Sequence, residues 1–307
     1  MAILRRADGS GYVAPAAHCL VGRSPTCTLR VDHPLVSREH GRLEHAGGSW
    51  FLRDLGSSNG TFVNGERLAW GAPRALRCGD LLGFGSAETT FELDDDSPPV
   101  AMARRLDADL TLAAEGGVLA LPSPDAPLAS VLEQDGAFVV EIDGQARAAR
   151  DGEVLTLQGA AFMLHLPVGS AATVSPSAEE LRRGLAEVEL RFRVSRDEEQ
   201  VEVTVAGPAG AHVLPPRAYH YTWLTIARAR VRDRAARSLV EAQRGWINVD
   251  DLLRSLRLDE AHLNVEIHRI RQGMAALGVP DGAGVIERRR GARQLRLGVE
   301  RVVIDPG

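Results

Sequence analysis

Four short blocks of the 307-residue chain carry side chains whose types and spacing could do chemistry: Gly22-Arg23, Ser37-Arg38-Glu39-His40, Ser58-Asn59-Gly60-Thr61-Phe62 and Asn64-Gly65. Arginine keeps its proton at physiological pH. Serine supplies a hydroxyl donor, and asparagine both donates and accepts. Such a set suits recognition better than turnover. The loops that mark nucleotide hydrolysis (G-x-x-x-x-G-K-[ST]) and zinc proteolysis (H-E-x-x-H) are absent from the sequence. "GFGSAE" (83–88) has the glycines of a phosphate loop but lies in a hairpin context with no helix following. His165 and His212 sit in strand-like runs and read as packed or exposed, not metal-bound. The chain is therefore expected to be a binding protein, not an enzyme, with no cofactor and no metal.

The elements that must position these residues are mostly strands. Residues 1–96 hold short apolar runs ("HCLVG", "CTLRVD", "WFLRDL", "TFVNG", "DLLGFG") between Gly, Asn, Asp and Pro breakers, the spacing of a β-sandwich. Asn64-Gly65 is the dipeptide of a two-residue hairpin turn. "DDDSPP" (94–99) marks a boundary. Residues 97–178 are again β-rich, with "GVLALP", "AFVVEID" and "EVLTLQG" as strands and 168–180 as a low-complexity linker. This middle segment faintly repeats the pattern of the first and reads as a degenerate second sandwich, a spacer or a dimer surface, so a homodimer is open. Residues 179–307 begin with strands (188–214) and then show helical periodicity at "RAYHYTWLTIARARVRD", "NVDDLLRSL" and "DEAHLNVEIHRIRQGMAAL", closing on the hairpin-like "GVIERRRGARQLRLGV". The fold class is thus multidomain: mainly β, with an α+β C-terminal part.

Charge is uneven. The net value is −5, yet residues 97–178 hold 4 Arg against 10 acids, and residues 216–307 hold 17 Arg against 11. The C-terminal end can therefore meet an anionic partner within an acidic protein. Cys19, Cys27 and Cys78 form an odd set without C-x-x-C, read as reduced core residues of a cytoplasmic protein. No signal peptide is evident at the start, and no run of about 18 apolar residues spans a membrane.

The four blocks together resemble the forkhead-associated (FHA) domain: G-R, then S-x-x-H, then S-x-N-G-T with an aromatic, then N-G. The resemblance covers about 90 residues. It implies a β-sandwich whose loops at one end bind phosphothreonine, a dianion that needs a permanent cation and several short donors. Carried over residue by residue, it makes Arg23, Ser37, Arg38, Ser58 and Asn59 the phosphopeptide-binding set, with Gly22, His40, Gly60 and Asn64 as structural support. Ser58 stands where the family often has threonine. Asn59-Gly60 then shapes the loop that holds the ligand, and Asn59 is expected to hold peptide backbone.

Residues 179–307 resemble the winged-helix effector domain of OmpR/PhoB-type response regulators. The resemblance rests on "LNVEIHRIR" (263–271) and "IERRRG" (286–291), and covers about 115 residues. The chain departs from that pattern in a tight "RLDEAH" connection, a long stretch at 232–247 and a wing tip about one residue longer. At 100° per residue, Leu263, Ile267, Ile270, Met274 and Leu277 form the core stripe. Val265, His268, Arg269 and Gln272 occupy the opposite face, flanked by Asn264 and Arg271. Such a face can read base edges in a major groove. Arg288, Arg289, Arg290, Arg293 and Arg296 on the hairpin suit phosphates or a minor groove.

The resemblances imply a bacterial regulator that connects threonine phosphorylation, through a Ser/Thr kinase or its substrate, to DNA. The rival is an adaptor whose winged helix docks a protein. Thr173 in the linker is a candidate internal ligand for the phosphothreonine site.

Overall fold

The computed structural model describes all residues except 10, 88–90, 109, 135, 168–183, 209, 236–238, 280 and 307. Thr173 and the expected linker lie outside the described residues. The chain divides into two compact units. The first comprises Met1–Arg104, Asp151–Glu153 and Met163–Ser175; the second comprises Arg105–Arg150, Val154–Phe162 and Pro176–Gly307. The second unit thus joins most of the middle segment to the C-terminal segment.

Among the described residues, residues 1–96 of the first unit form a sandwich of eleven short strands: β1 (Ile3–Arg6), β2 (Tyr12–Val13), β3 (His18–Gly22), β4 (Leu29–Arg30), β5 (Gly41–Ala46), β6 (Ser49–Asp54), β7 (Thr61–Val63), β8 (Glu66–Arg67), β9 (Arg74–Leu76), β10 (Leu81–Phe84) and β11 (Phe91–Asp95). One sheet has the order β2-β1-β11-β10-β7-β8, the other β4-β3-β5-β6-β9. Alternation places Trp50 and Leu52 of β6 and Leu43 of β5 inward against Leu4, Val21, Leu82, Phe91 and Leu93. Val63 pairs with Glu66 across Asn64 and Gly65, whose φ values of 52° and 80° are those of a type I′ turn. Cys19 and Cys27 are buried here. Cys78 is exposed instead of core, because it falls in the turn before β10, where its thiol reaches the Asp94 carbonyl at 3.0 Å.

The middle segment supplies β12 (Met102–Arg105), β13 (Leu110–Ala113), β14 (Val118–Leu121), β15 (Ala129–Gln134), β16 (Ala137–Ile142), β17 (Gln145–Ala148), β18 (Val154–Leu157) and β19 (Ala160–His165). Strands β14 to β17 form an antiparallel meander in sequence order, within the second unit. In β16, Val139, Val140 and Glu141 are all buried, so both faces of that strand are covered.

The remainder of the second unit begins with β20 (Glu189–Val194), β21 (Val201–Gly207) and β22 (Gly210–Leu214). It continues with helix α1 (His220–Ala235), β23 (Ile247–Asn248), helix α2 (Val249–Leu256), helix α3 (Glu260–Ala276), β24 (Ile286–Arg288) and β25 (Gln294–Leu297). The chain then adds a strand that periodicity did not single out, β26 (Arg301–Pro306), which pairs parallel with β20 at the edge of the β22-β21-β20 sheet. Its signal is the apolar run Val302-Val303-Ile304 between two charged residues. Asn248 caps α2 by accepting from the Asp250 amide, and Asp259 caps α3 by accepting from the His262 amide, each at 2.8 Å. Leu263, Ile267, Ile270 and Met274 pack into a core with Trp223, Phe192, Val203 and Leu295, while Leu277 is only partly buried at its edge. Among the described residues, no helix is long and apolar enough to cross a membrane.

Candidate functional site

The loops after β3, before β5 and after β6 converge at one end of the sandwich. Their course is dictated by backbone contacts. Gly22 permits it because a Cβ there would lie 2.2 Å from the Arg38 carbonyl oxygen. The Arg23 amide then donates to Ser37 O and the Ser24 amide to Arg38 O, at 2.9 and 3.0 Å. His40 is fully buried between the loops. Its Nδ1 accepts from the Ser37 amide, so the proton sits on Nε2, which donates to the Gly60 carbonyl; both bonds are 3.0 Å. Burial lowers the His40 pKa below that of an ordinary imidazole, against the pull of the Gly60 carbonyl and Asp54.

Asp54, at the end of β6, was missed by the motif reading and organises the next loop. Its carboxylate accepts from the amides of Gly56 and Ser57 and from the hydroxyls of Ser57 and Thr61 at 2.6–3.0 Å. Burial would raise its pKa, but these four donors outweigh that and hold it below the usual range. The Ser57 hydroxyl also accepts from the Gly60 amide at 3.0 Å. Gly60 adopts φ +93°, a conformation L residues avoid. The sequence signal was present, in an Asp three residues before a serine and seven before a threonine.

On this frame sit the expected binding residues. Arg23 is exposed and donates through Nε to Val36 O at 3.2 Å, which steadies the guanidinium without engaging its Nη groups. The Ser37 hydroxyl accepts from the Ser58 amide at 3.1 Å, so its own proton can be donated outward. Ser58 and Arg38 are exposed. The Asn59 side-chain amide donates to Leu35 O at 2.8 Å and braces the loop; its carbonyl oxygen and its second amide hydrogen are not used in that bond. Asn64 closes the β7–β8 turn and ties it to β10, with Nδ2 on Asp80 and Oδ1 on the Leu81 amide. Together Arg23, Ser37 and Ser58 can offer a guanidinium and two hydroxyls to a tetrahedral anion.

The second set of expected residues has a different fate. Of the α3 face opposite the core stripe, only Arg269 is exposed; Asn264, Val265 and Gln272 are half-buried, and His268 and Arg271 are buried. The meander β14–β17 lies against this face. Arg271 donates both ends of its guanidinium to Glu141 at 2.9 and 2.8 Å, and also reaches Ile286 O. Arg288, expected on an open hairpin, is 3% exposed. Its Nε lies 3.3 Å from Glu141 and its Nη2 donates to Asn264 Oδ1 at 2.7 Å. Burial would raise the Glu141 carboxyl, but the two guanidiniums hold it below its ordinary value. Gln272 reaches the Glu115 carbonyl at 3.4 Å, and Arg293 bonds Asp143 O, Asp250 and Glu260. His268 is pushed below an ordinary imidazole by burial and by Arg271, against the pull of Glu115 and Asp125. Arg289 and Arg290 remain exposed, Arg289 lying over Trp246 with its charge 5.5 Å from the ring centre. Arg296 is partly buried against the same ring and Glu287. Periodicity could not have shown this cover, since it concerns one helix at a time.

The sandwich and its end-loop constellation define a ligand-recognition module. Residues 19–85 match the family model of the FHA domain, so the N-terminal unit carries an FHA domain. The chain is similar, at 38% identity over 81 residues, to a protein phosphatase 1 regulatory inhibitor subunit homolog of Arabidopsis thaliana; the match covers 26% of this chain and 22% of that one. It is also similar, at 33% identity over 87 residues, to the transcriptional regulatory protein EmbR of Mycobacterium tuberculosis, covering 28% and 22%. Among solved structures, Mycobacterium tuberculosis EmbR in complex with a low affinity phosphopeptide aligns at 28% identity with a TM-score of 0.28, over 32% of this chain and 25% of that one. The matched region thus spans about a fifth to a quarter of the length of these relatives.

Proposed function

We propose that the N-terminal unit binds a phosphothreonine-containing protein, a Ser/Thr kinase or one of its substrates, and that the chain is a bacterial transcriptional regulator whose C-terminal helices and hairpin bind DNA. It works by binding, without turnover. The observation that carries the first half is the cup of Arg23, Ser37 and Ser58. Its guanidinium is steadied by a neutral carbonyl, its Ser37 proton is free to donate, and its backing is the hydrogen-bonded frame that links His40 through Gly60 and Ser57 to Asp54. A phosphate dianion gains roughly 1.5–3 kcal/mol from each hydrogen bond to such a charged donor. The second half draws on the basic C-terminal composition, on the order of helices and hairpin, and on the partial likeness to a transcriptional regulatory protein.

The second reading is an adaptor whose C-terminal domain grips protein; the burial of Arg271 and Arg288 favours it. Two measurements test the proposal. Calorimetry with a matched pair of peptides, threonine and phosphothreonine, should show binding of the phosphorylated member only; equal binding of both would refute the first half. Sequencing of DNA recovered with the tagged chain should show discrete enriched sites; a profile no different from an untagged control would leave the adaptor.

A further inference from the structure

The β14–β17 meander meets α3 and the β24–β25 hairpin through oxygens. The Glu141 carboxylate takes Arg271 and Arg288, the carbonyl of Glu115 just before β14 takes Gln272, the Asp143 carbonyl takes Arg293 and the Ala146 carbonyl takes the Gly291 amide at 3.1 Å. These are the same donors that would meet phosphates and base edges, which are likewise acceptor oxygens and nitrogens. The approach is close: a Cβ on Gly116 would lie 2.5 Å from the Ala275 Cβ. We propose that this acidic meander is an intrachain competitor for DNA, occupying the polar face of α3 and the buried side of the hairpin, so that the form described here is the closed one. The proposal rests on the DNA-binding reading above.

The occupancy is electrostatically incomplete, and that incompleteness points to a displacing polyanion. Among the described residues Glu141 makes the ion-pair contacts to both buried guanidiniums, and Glu260 acts on Arg288 only through its charge. Arg271 Nε and Arg288 Nη1 are buried without a hydrogen-bond partner among the described residues. An unpaired buried donor is costly, and a buried ion pair is retained only when its surroundings compensate for the lost water. A duplex offers a row of acceptors in place of a single carboxylate. Arg269, Arg289 and Arg290 stay exposed, Arg290 as the bridge partner of Ala146, and a phosphate backbone can engage them before the meander leaves. The charge of the segments fits the competition, with 4 Arg against 10 acids in residues 97–178 and 17 against 11 in residues 216–307.

The test uses the full chain, a fluorescent mixed-sequence duplex of about 30 base pairs at low salt, and Glu141→Gln, which keeps the shape and removes the charge. Loss of a buried pairing charge should favour release, so Glu141→Gln should bind roughly tenfold tighter than wild type or more, with faster amide exchange in residues 263–274. Faster exchange with unchanged DNA affinity overturns the competition and leaves the DNA reading standing. Faster exchange with no binding by either protein removes the DNA reading, and the proposal with it. Should Glu141→Gln fail to fold, a crosslink decides. Ala146 and Arg290 are bridge partners. Ala146→Cys with Arg290→Cys, in a Cys78→Ser background, can be closed with diamide and reopened with dithiothreitol. The closed form should lose DNA and the reopened one return to the level of the Arg290→Cys single variant, which sets the reference because Arg290 is itself a candidate phosphate contact; equal binding in both states refutes the proposal.

Discussion

Arg23 and Arg271 both stand in sequence blocks that suit anion recognition, yet they end in opposite states. Arg23 is exposed, anchored through one nitrogen to a carbonyl. Arg271 is 1% exposed, with both ends of its fork on a carboxylate from another segment. The difference lies in what stands opposite each guanidinium. Opposite the Arg23 Nε is the neutral Val36 carbonyl, which carries no charge to compete with an anion. Across from Arg271 is Glu141, which already is one. A basic residue in a recognition block is thus a binding group only where no intrachain acid has reached it first.

Three perturbations sharpen that contrast, the largest first. Arg271→Ala leaves Glu141 buried with only the offset Arg288 contact, and removing one partner of a buried pair costs about 3–5 kcal/mol. The urea midpoint for unfolding of the second unit should fall accordingly, while phosphopeptide affinity stays at the wild-type value. A midpoint unchanged within error would mean that the pair is not structurally coupled to its unit. Arg23→Ala should do the reverse. It should weaken phosphothreonine-peptide binding by about 1.5–3 kcal/mol, roughly ten- to a hundredfold, and shift stability by less than about 0.5 kcal/mol, as for an exposed side chain. Equal calorimetric affinity would break the comparison at its other end.

The smallest effect is a pH dependence of the frame. The folded His40 has a lowered pKa because burial disfavours its charged form, with Asp54 the nearby acid opposing. The unfolded chain therefore binds the proton first, and stability is present above the ordinary imidazole value and is lost as pH falls below it. Asp54, also lowered, works in the same direction but only in more acid solution. Between pH 7.5 and 5.5 the wild type should lose more stability than His40→Gln, read from urea melts without peptide, because the phosphate itself titrates near pH 6. An identical slope in the two proteins would remove His40 as the source.

The first site was legible because its residues are fixed by backbone needs that a sequence displays. Gly22 cannot carry a side chain beside Arg38 O, Gly60 and Gly65 need positive φ, and His40 must serve two loops at once. Asp54 escaped notice because it lies outside the four blocks, although its partners lie within them. The stripe of α3 was legible too, since Leu263, Ile267, Ile270 and Met274 follow the helical period. The cover on the opposite face was not. It depends on Glu141 meeting Arg271 from 130 residues away, and no local pattern encodes such a meeting. One trace existed: "FVVEI" is a nearly unbroken apolar run, as in a strand buried on both sides, with a single acid inside it.

The parallel pairing of β26 with β20 has a consequence for biosynthesis. Leu190 finds its neighbour Val302 only after synthesis has run 112 positions further along the chain. The strands of the N-terminal sandwich, by contrast, all precede residue 96. Domains generally fold as units from the amino terminus during translation, and distant pairings form late. A nascent polypeptide would therefore assemble the loops around Arg23 and His40 while the β22-β21-β20 sheet still lacks its β26 edge.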